Sequence, residues 1–507
     1  MQTLTHMAIW FANIFGVVMF VAIIGLLIAF ALMFVQDLFQ RTHAVRRNFP
    51  LIGRARYGIE NLGPFMRQYL YDTDRDRLPF NRAERSWVYR AAKDLDNTAA
   101  FGSTLNLNEP GTVIFAHSTF PILEALAEVP KPLLIGPFCP NPYTPQSLFN
   151  ISGMSFGALS KPAVQALSYG AAKAGCWMDT GEGGLAPYHL EGGCDIVMQI
   201  GTAKYGVRDL DGKLSEERLR EIAAYPQVKM FELKLSQGAK PGKGGILPAV
   251  KVSEEIARIR GIRPGHDSIS PNRHPEINST DELLDMIEQI RSVTGKPTGI
   301  KFALGEPEWL DELCARIHLR GEQAAPDFIT LDSGDGGSGA APETLLDNVG
   351  LTLRESLPAL IDKLTEHGLR ERVRVVVAGK LINPVSVAWA LCMGADFVNS
   401  ARGFLFALGC IQAMQCNKNT CPTGITTQNP RLQRGLDVEI KAERVYHYVK
   451  NLLKEVEVVA HSCGVTEPRQ LRRHHARMVV DGGRSVRLDD LFPPATVVAE
   501  PLRVVEK

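Results

Sequence analysis

Three cysteines fall close together in this 507-residue chain, at Cys410, Cys416 and Cys421, with Pro422 after the last. Thiolates are soft ligands suited to iron–sulfur clusters or zinc. The C-x5-C-x4-C spacing lacks both the paired cysteines and the fourth ligand of a structural zinc site. It fits a three-iron cluster, or a four-iron cluster with one outside ligand; three buried thiols holding no metal are the plain alternative. Cys139, Cys176, Cys194, Cys314, Cys392 and Cys463 are isolated and read as small core or surface residues. Nine cysteines are too few for a disulfide scaffold, which points to a reducing compartment.

A second chemical feature is a set of glycine-bearing loops, DSGDGGSGAAP (332–342), AGK (378–380) and NSARG (399–403). Glycines let backbone N–H groups approach an anion, and Lys380 and Arg402 add charge directly. Tight turns without a ligand are the simpler reading of any one loop. Neither GxGxxG after a first strand nor GxxxxGK[ST] occurs, so a dinucleotide fold or P-loop is unsupported.

These loops need strands to present them. Short apolar runs at 149–154, 175–180, 195–200, 228–235, 297–303, 327–332, 373–378 and 395–400 alternate with helical patterns such as 161–175, 281–293 and 384–394. Eight strands with helical crossovers predict an α/β fold of the TIM (β/α)8 type, with its site at the strand C-terminal ends. A doubly wound open sheet is the competing topology. The last three loops would then sit where such barrels hold phosphate. Residues 431–507 read as a helical extension with a basic cluster, RRHHAR (472–477).

Lys plus Arg (56) nearly cancels Asp plus Glu (55), which argues against a nucleic-acid partner. Met1 to Gln36 contains no Lys, Arg, Asp or Glu, and about 20 apolar residues cross a bilayer. No basic residue precedes the run, unlike a cleaved signal peptide. Arg41, Arg46, Arg47, Arg54 and Arg56 follow it against the single acid Asp37, so the expected topology is a single pass at the cell membrane with the remainder cytoplasmic. The expected division is a transmembrane helix (1–36), a juxtamembrane helix and loop region (37–129), the barrel (130–430) and the extension (431–507).

The segments SGMSFGALS (152–160), DTGEGG (179–184), LSQGAKPGKGGILP (235–248), SPNRHPEI (270–277), GDGGSGAAP (334–342) and GCIQAMQCNKNTCPTGITTQ (409–428) resemble the FMN-binding synthase domain of glutamate synthases, over about 300 residues. The likeness is strongest to membrane-anchored, single-domain members of the ferredoxin-dependent group. It implies a barrel carrying FMN beside a [3Fe–4S] cluster held by Cys410, Cys416 and Cys421. It implies Met154 and Ser155 beside the flavin, and Lys301 near its ring. Gly336, Gly337, Gly379, Lys380, Ala401 and Arg402 match the phosphate side. Gln237, Lys240 and Arg260 match positions holding 2-oxoglutarate, and Glu182 matches a site glutamate.

The resemblance further implies reduction of 2-iminoglutarate, formed from 2-oxoglutarate and ammonia, to L-glutamate. No glutamine-hydrolysing segment, C-terminal glycine-rich repeat or pyridine-nucleotide domain is legible, so ammonia is expected from solution or a partner. Electrons are expected from an external donor such as ferredoxin. AGKL (378–381), NSARG and Asn272–Arg273 depart from the family pattern, leaving substrate and donor less constrained than the flavin. Two other readings stand beside this one: a related flavoenzyme acting on another 2-oxo acid or amine, and a membrane-tethered electron-transfer subunit without its own substrate.

Overall fold

The structure, a computed structural model, describes residues 2–497. The chain divides into two compact units, residues 1–79 and 80–507.

The N-terminal unit is led by one 38-residue helix, Gln2–Phe39, along which large apolar side chains such as Trp10, Phe15, Phe20, Leu27 and Leu32 are exposed. Among the described residues it is the one helix long and apolar enough to cross a membrane. Near its end the fully buried Asp37 pairs with Arg46 and Arg54, both at 2.7 Å, and accepts from the Leu51 N–H. Two of the five arginines counted from the sequence are therefore tied to that acid. Helices Ala44–Asn48 and Ile52–Met66 complete the turn back.

The second unit is built on a closed barrel of eight parallel strands. They are β1 (Phe149–Ile151), β2 (Met178–Asp179), β3 (Ile196–Ile200), β4 (Val228–Lys234), β5 (Thr298–Ala303), β6 (Phe328–Asp332), β7 (Arg374–Ala378) and β8 (Phe397–Ser400). They pair in chain order and β8 closes on β1. All eight fall within the predicted runs. Their Val-, Ile- and Phe-rich sequences suit strands covered on both faces. The register between β3 and β4 shifts at Ile196/Val197.

Side chains two residues apart along a strand share a face, and this stacks the barrel interior in layers. Trp177, Val197, Met230, Phe328, Val376 and Phe397 form an apolar plug at the N-terminal end, closed by Ile135 and Tyr143. Two residues further along come Asp179, Gln199, Glu232, Thr330 and Asn399, all buried. The barrel therefore changes from apolar to polar in one step towards its C-terminal mouth.

Three features lie outside the barrel strands. Between β4 and β5 the chain makes an excursion containing the hairpin Ile246–Leu247 with Ser268–Ile269 and the helix Glu254–Arg260. Helix α1 (Lys161–Ala174) packs on the 25-residue helix α2 (Val438–Ser462). Helix Arg82–Ala92 lies against α2 as well, where Asn451 donates to the Ala91 carbonyl at 2.9 Å. The extension after 430 is helical through α2, then adds two strands that the sequence reading lacks. Ala476–Val479 pairs antiparallel with Val113–Phe115 on one side and Ser485–Arg487 on the other. Residues 498–507 of the extension lie outside the described residues.

Candidate functional site

A cavity of about 920 Å³, counted with its open mouth, lies at the C-terminal end of the barrel. Its wall includes Met154, Ser155, Glu182, Gln237, Lys240, Arg260, Gly337, Ala401, Arg402 and Cys416. Thus ten of the residues singled out from the sequence meet around one space. Lys301, Gly336, Gly379, Lys380, Cys410 and Cys421 are outside the wall. Lys301 is buried beneath the mouth, and Lys380 is held by Asp335 at 2.8 Å.

Glu182 is the electrostatic centre of the cavity. Lys234 Nζ stands 3.2 Å from its Oε2, and Lys234 also donates to Gln237 Oε1. Burial alone would raise the Glu182 carboxyl, but the charges of Lys234, Lys240 and Arg260 outweigh it and hold the group below its ordinary value. Gly245 passes so close that a Cβ there would meet Glu182 Oε1 at 1.9 Å. The β4–β5 excursion thus clamps the carboxylate from above.

Each neighbouring cation has its own support. Lys240 donates to the Ala340 carbonyl at 3.3 Å; its burial pushes the ammonium down to about 8, with Glu182 opposing the shift. Arg260 donates to Ser268 Oγ at 3.1 Å, Ser155 Oγ at 3.3 Å and the Phe156 carbonyl at 3.4 Å, and lies over the Tyr205 ring. Its Nε is buried without a hydrogen-bond partner. Burial lowers this guanidinium too, although it remains charged at neutral pH. Three cations facing one carboxylate leave an excess of two positive charges, a match for a dianionic ligand.

Arg402 donates at 2.6 Å to the carbonyl of Ser338, whose Oγ accepts from Gln237 at 3.3 Å, and Arg402 Nη1 is 3.8 Å from Cys416 Sγ. A side chain at Gly337 would meet Arg402 Nε at 2.9 Å, so the loop and the guanidinium can approach only because that position is glycine. Glycine backbone and a guanidinium around open space suit a phosphate-bearing cofactor.

The three cysteines lie on one loop beside this wall. Lys251, buried between them and the cavity, donates to the Ala158 carbonyl at 2.7 Å and the Cys416 carbonyl at 3.2 Å. Tyr89 donates to the Cys410 carbonyl at 2.6 Å. Burial pushes the Cys410 thiol up to about 11, while Cys421, despite burial, is held below its ordinary value by hydrogen bonds from Thr423 and Thr426. Among the described residues no three His, Cys, Asp or Glu close on a point as a single ion requires. The thiols are nevertheless near enough for Cys416 and Cys421 to perturb Cys410. Soft donors with Arg402 and Lys251 adjacent have the chemistry of a thiolate-held cluster.

Gln199, Lys234 and Lys251 also line the cavity and were missed by the sequence reading. A signal existed: Glu232 and Lys234 interrupt β4 where a strand covered on both faces should be apolar.

Residues 138–466 match the conserved region in glutamate synthase. The chain is 38% identical over 505 residues to the glutamate synthase large subunit-like protein YerD of Bacillus subtilis, covering 92% of this chain and 95% of that one. It is 33% identical over 323 residues to the archaeal-type glutamate synthase (NADPH) of Thermotoga maritima, covering 63% of this chain and 60% of the relative. Among solved structures, the flavin-binding domain of baker's yeast flavocytochrome b2 aligns with a TM-score of 0.44 at 13% identity, over 83% of this chain and 86% of that one. The protein is a (β/α)8-barrel enzyme of the oxidoreductase class. The chain belongs to the glutamate synthase family.

Proposed function

We propose that this protein binds FMN and a [3Fe–4S] cluster and reduces 2-iminoglutarate, formed from 2-oxoglutarate and ammonia, to L-glutamate. The observation that carries the reading is the convergence of Lys234, Lys240 and Arg260 on Glu182 in a cavity that is also lined by a glycine loop and Arg402. A dicarboxylate matches the two surplus charges, and a pure electron carrier has no use for them.

Lys240 and Arg260 bind the substrate carboxylates through charge-assisted hydrogen bonds, and Gln237 orients the substrate beside them. Glu182, ionised at neutral pH, accepts a proton from the nitrogen as ammonia adds to the 2-carbonyl and returns it to the oxygen that leaves as water. Met154, Ser155 and the loops bearing Gly336, Gly337, Gly379, Lys380, Ala401 and Arg402 hold the flavin and its phosphate. Beneath the floor, Lys301 keeps its charge: burial opposes it, but Asp332, Glu232 and Asp179 hold the ammonium above its ordinary value. FMN supplies hydride chemistry, and a cluster on Cys410, Cys416 and Cys421 supplies single electrons from an external donor such as ferredoxin.

The helix Gln2–Phe39 serves in this reading as a single-pass membrane anchor, with the barrel on the cytoplasmic side. Full-length protein should sediment with membranes and resist extraction by high salt; release by salt alone would contradict the anchor. Purified in detergent, it should be yellow-brown and release FMN on denaturation. Lys240→Ala should retain the flavin and lose the spectral response to 2-oxoglutarate. A folded, colourless protein would refute the cofactor assignment.

A further inference from the structure

Beneath the cavity wall, two carboxylates share one donor. Gln199 Nε2 donates to Asp179 Oδ2 at 3.1 Å and to Glu232 Oε1 at 2.7 Å. Asp179 and Glu232 are 0% and 1% exposed, so neither has the hydration that would tolerate two adjacent negative charges. The remaining oxygen of Asp179 accepts the Gly181 N–H at 2.8 Å. Because both oxygens accept from the one amide nitrogen, the two carboxylates stand side by side in this buried layer, where a proton on one relieves the repulsion between them.

The charged groups around the pair do not supply a second compensating cation. Lys301 faces it from β5, but Asp332 faces the same ammonium from β6. Lys234, from the mouth side of β4, is committed to Glu182 and Gln237. On the β1 side stands Gly153, where a Cβ would meet Gln199 Nε2 at 2.8 Å and both Asp179 oxygens at 3.1 Å. Three acids, Asp179, Glu232 and Asp332, therefore surround one lysine in a buried layer.

We propose that Asp179 and Glu232 share a single proton at neutral pH, forming an acid–carboxylate pair that positions Gln199 in the cavity wall. Burial, followed by the Glu232 charge, raises Asp179 well above its ordinary range against the opposing pull of Lys301. The geometry has a chemical consequence. The two N–H bonds of Gln199 are spent on the pair, so its amide offers the cavity an acceptor, suited to a ligand N–H. Neither carboxylate needs an occupant in the cavity to hold this arrangement. Asp179 and Glu232 are positioning residues that act through Gln199.

Infrared spectroscopy on the full-length protein in detergent tests the pair directly. The wild type at neutral pH should show the C=O stretch of a protonated carboxylic acid, shifted in deuterated water. Asp179→Asn and Glu232→Gln should each remove that band, whereas Asp332→Asn should leave it. FMN content, measured on the same samples, reports separately whether the cavity keeps its cofactor. If either variant fails to fold, raising the pH of the wild type should abolish the band in a step above the ordinary carboxylate range. A folded wild type without the band, or a band that survives both substitutions, would overturn the proposal.

Discussion

Lys234 Nζ lies 3.2 Å from Glu182 Oε2 and donates at the same time to Gln237, so one buried ammonium joins the end of β4 to two other site residues. The link makes the cavity respond as a unit to changes in any loop that touches Glu182.

The tightest such contact is made by Gly245. Gly245→Ala would drive a methyl into Glu182 Oε1 and displace the carboxylate from Lys234. A shift of that size costs up to about 100-fold in catalysis. The expected outcome is a large fall in kcat/KM for 2-oxoglutarate with FMN content unchanged, measured by steady-state kinetics and flavin release.

Binding of the dicarboxylate should depend on pH through Lys240. Its folded-state value is depressed to about 8, so the charged form is present below that pH and lost above it. Affinity for 2-oxoglutarate should therefore weaken above about pH 8, by at most about tenfold per pH unit for one proton. Lys240→Met should bind weakly at all pH values and flatten this limb. Equilibrium titration of the flavin spectrum across the range checks both statements.

Cys416→Ser should lose iron while keeping FMN, because the phosphate-side residues Gly337, Ala401 and Arg402 stand on barrel loops other than the cysteine loop. Iron analysis and flavin release on one sample measure the two independently. Loss of both together would mean that the cysteine loop supports the flavin site rather than a cluster.

Packing between α1 and α2 gives a prediction for stability. A Cβ at Gly170 would stand 2.4 Å from Val445 Cβ and 2.8 Å from the Ala442 carbonyl oxygen. Overpacking of this kind costs about 1–3 kcal/mol. Gly170→Ala should lower the denaturant midpoint by a corresponding amount with ligand affinities unchanged.

The barrel strands were legible because parallel strands covered on both faces are continuous apolar runs, and the run at 373–378 is typical. The strands at Val113–Phe115 and Ala476–Val479 were not. Each is three or four residues long, and the partner lies more than 300 residues away, so no local periodicity marks them. The same contrast holds in the site. Motif residues such as Gln237, Lys240 and Arg260 stand in distinctive loops. Gln199 and Lys234 lie in strands, where only their polarity in an apolar run betrays them. Lys301 shows the limit from the other side: its motif was legible, but its burial among Asp179, Glu232 and Asp332 depends on eight strands closing into a ring.

The account stands most directly on one reaction. Full-length protein carrying FMN and iron, reduced chemically without oxygen, should be reoxidised on adding 2-oxoglutarate with ammonium, and L-glutamate should appear in proportion to the flavin reoxidised. Omitting either compound should stop both changes. A protein that holds both cofactors yet stays reduced and forms no glutamate under these conditions would contradict it.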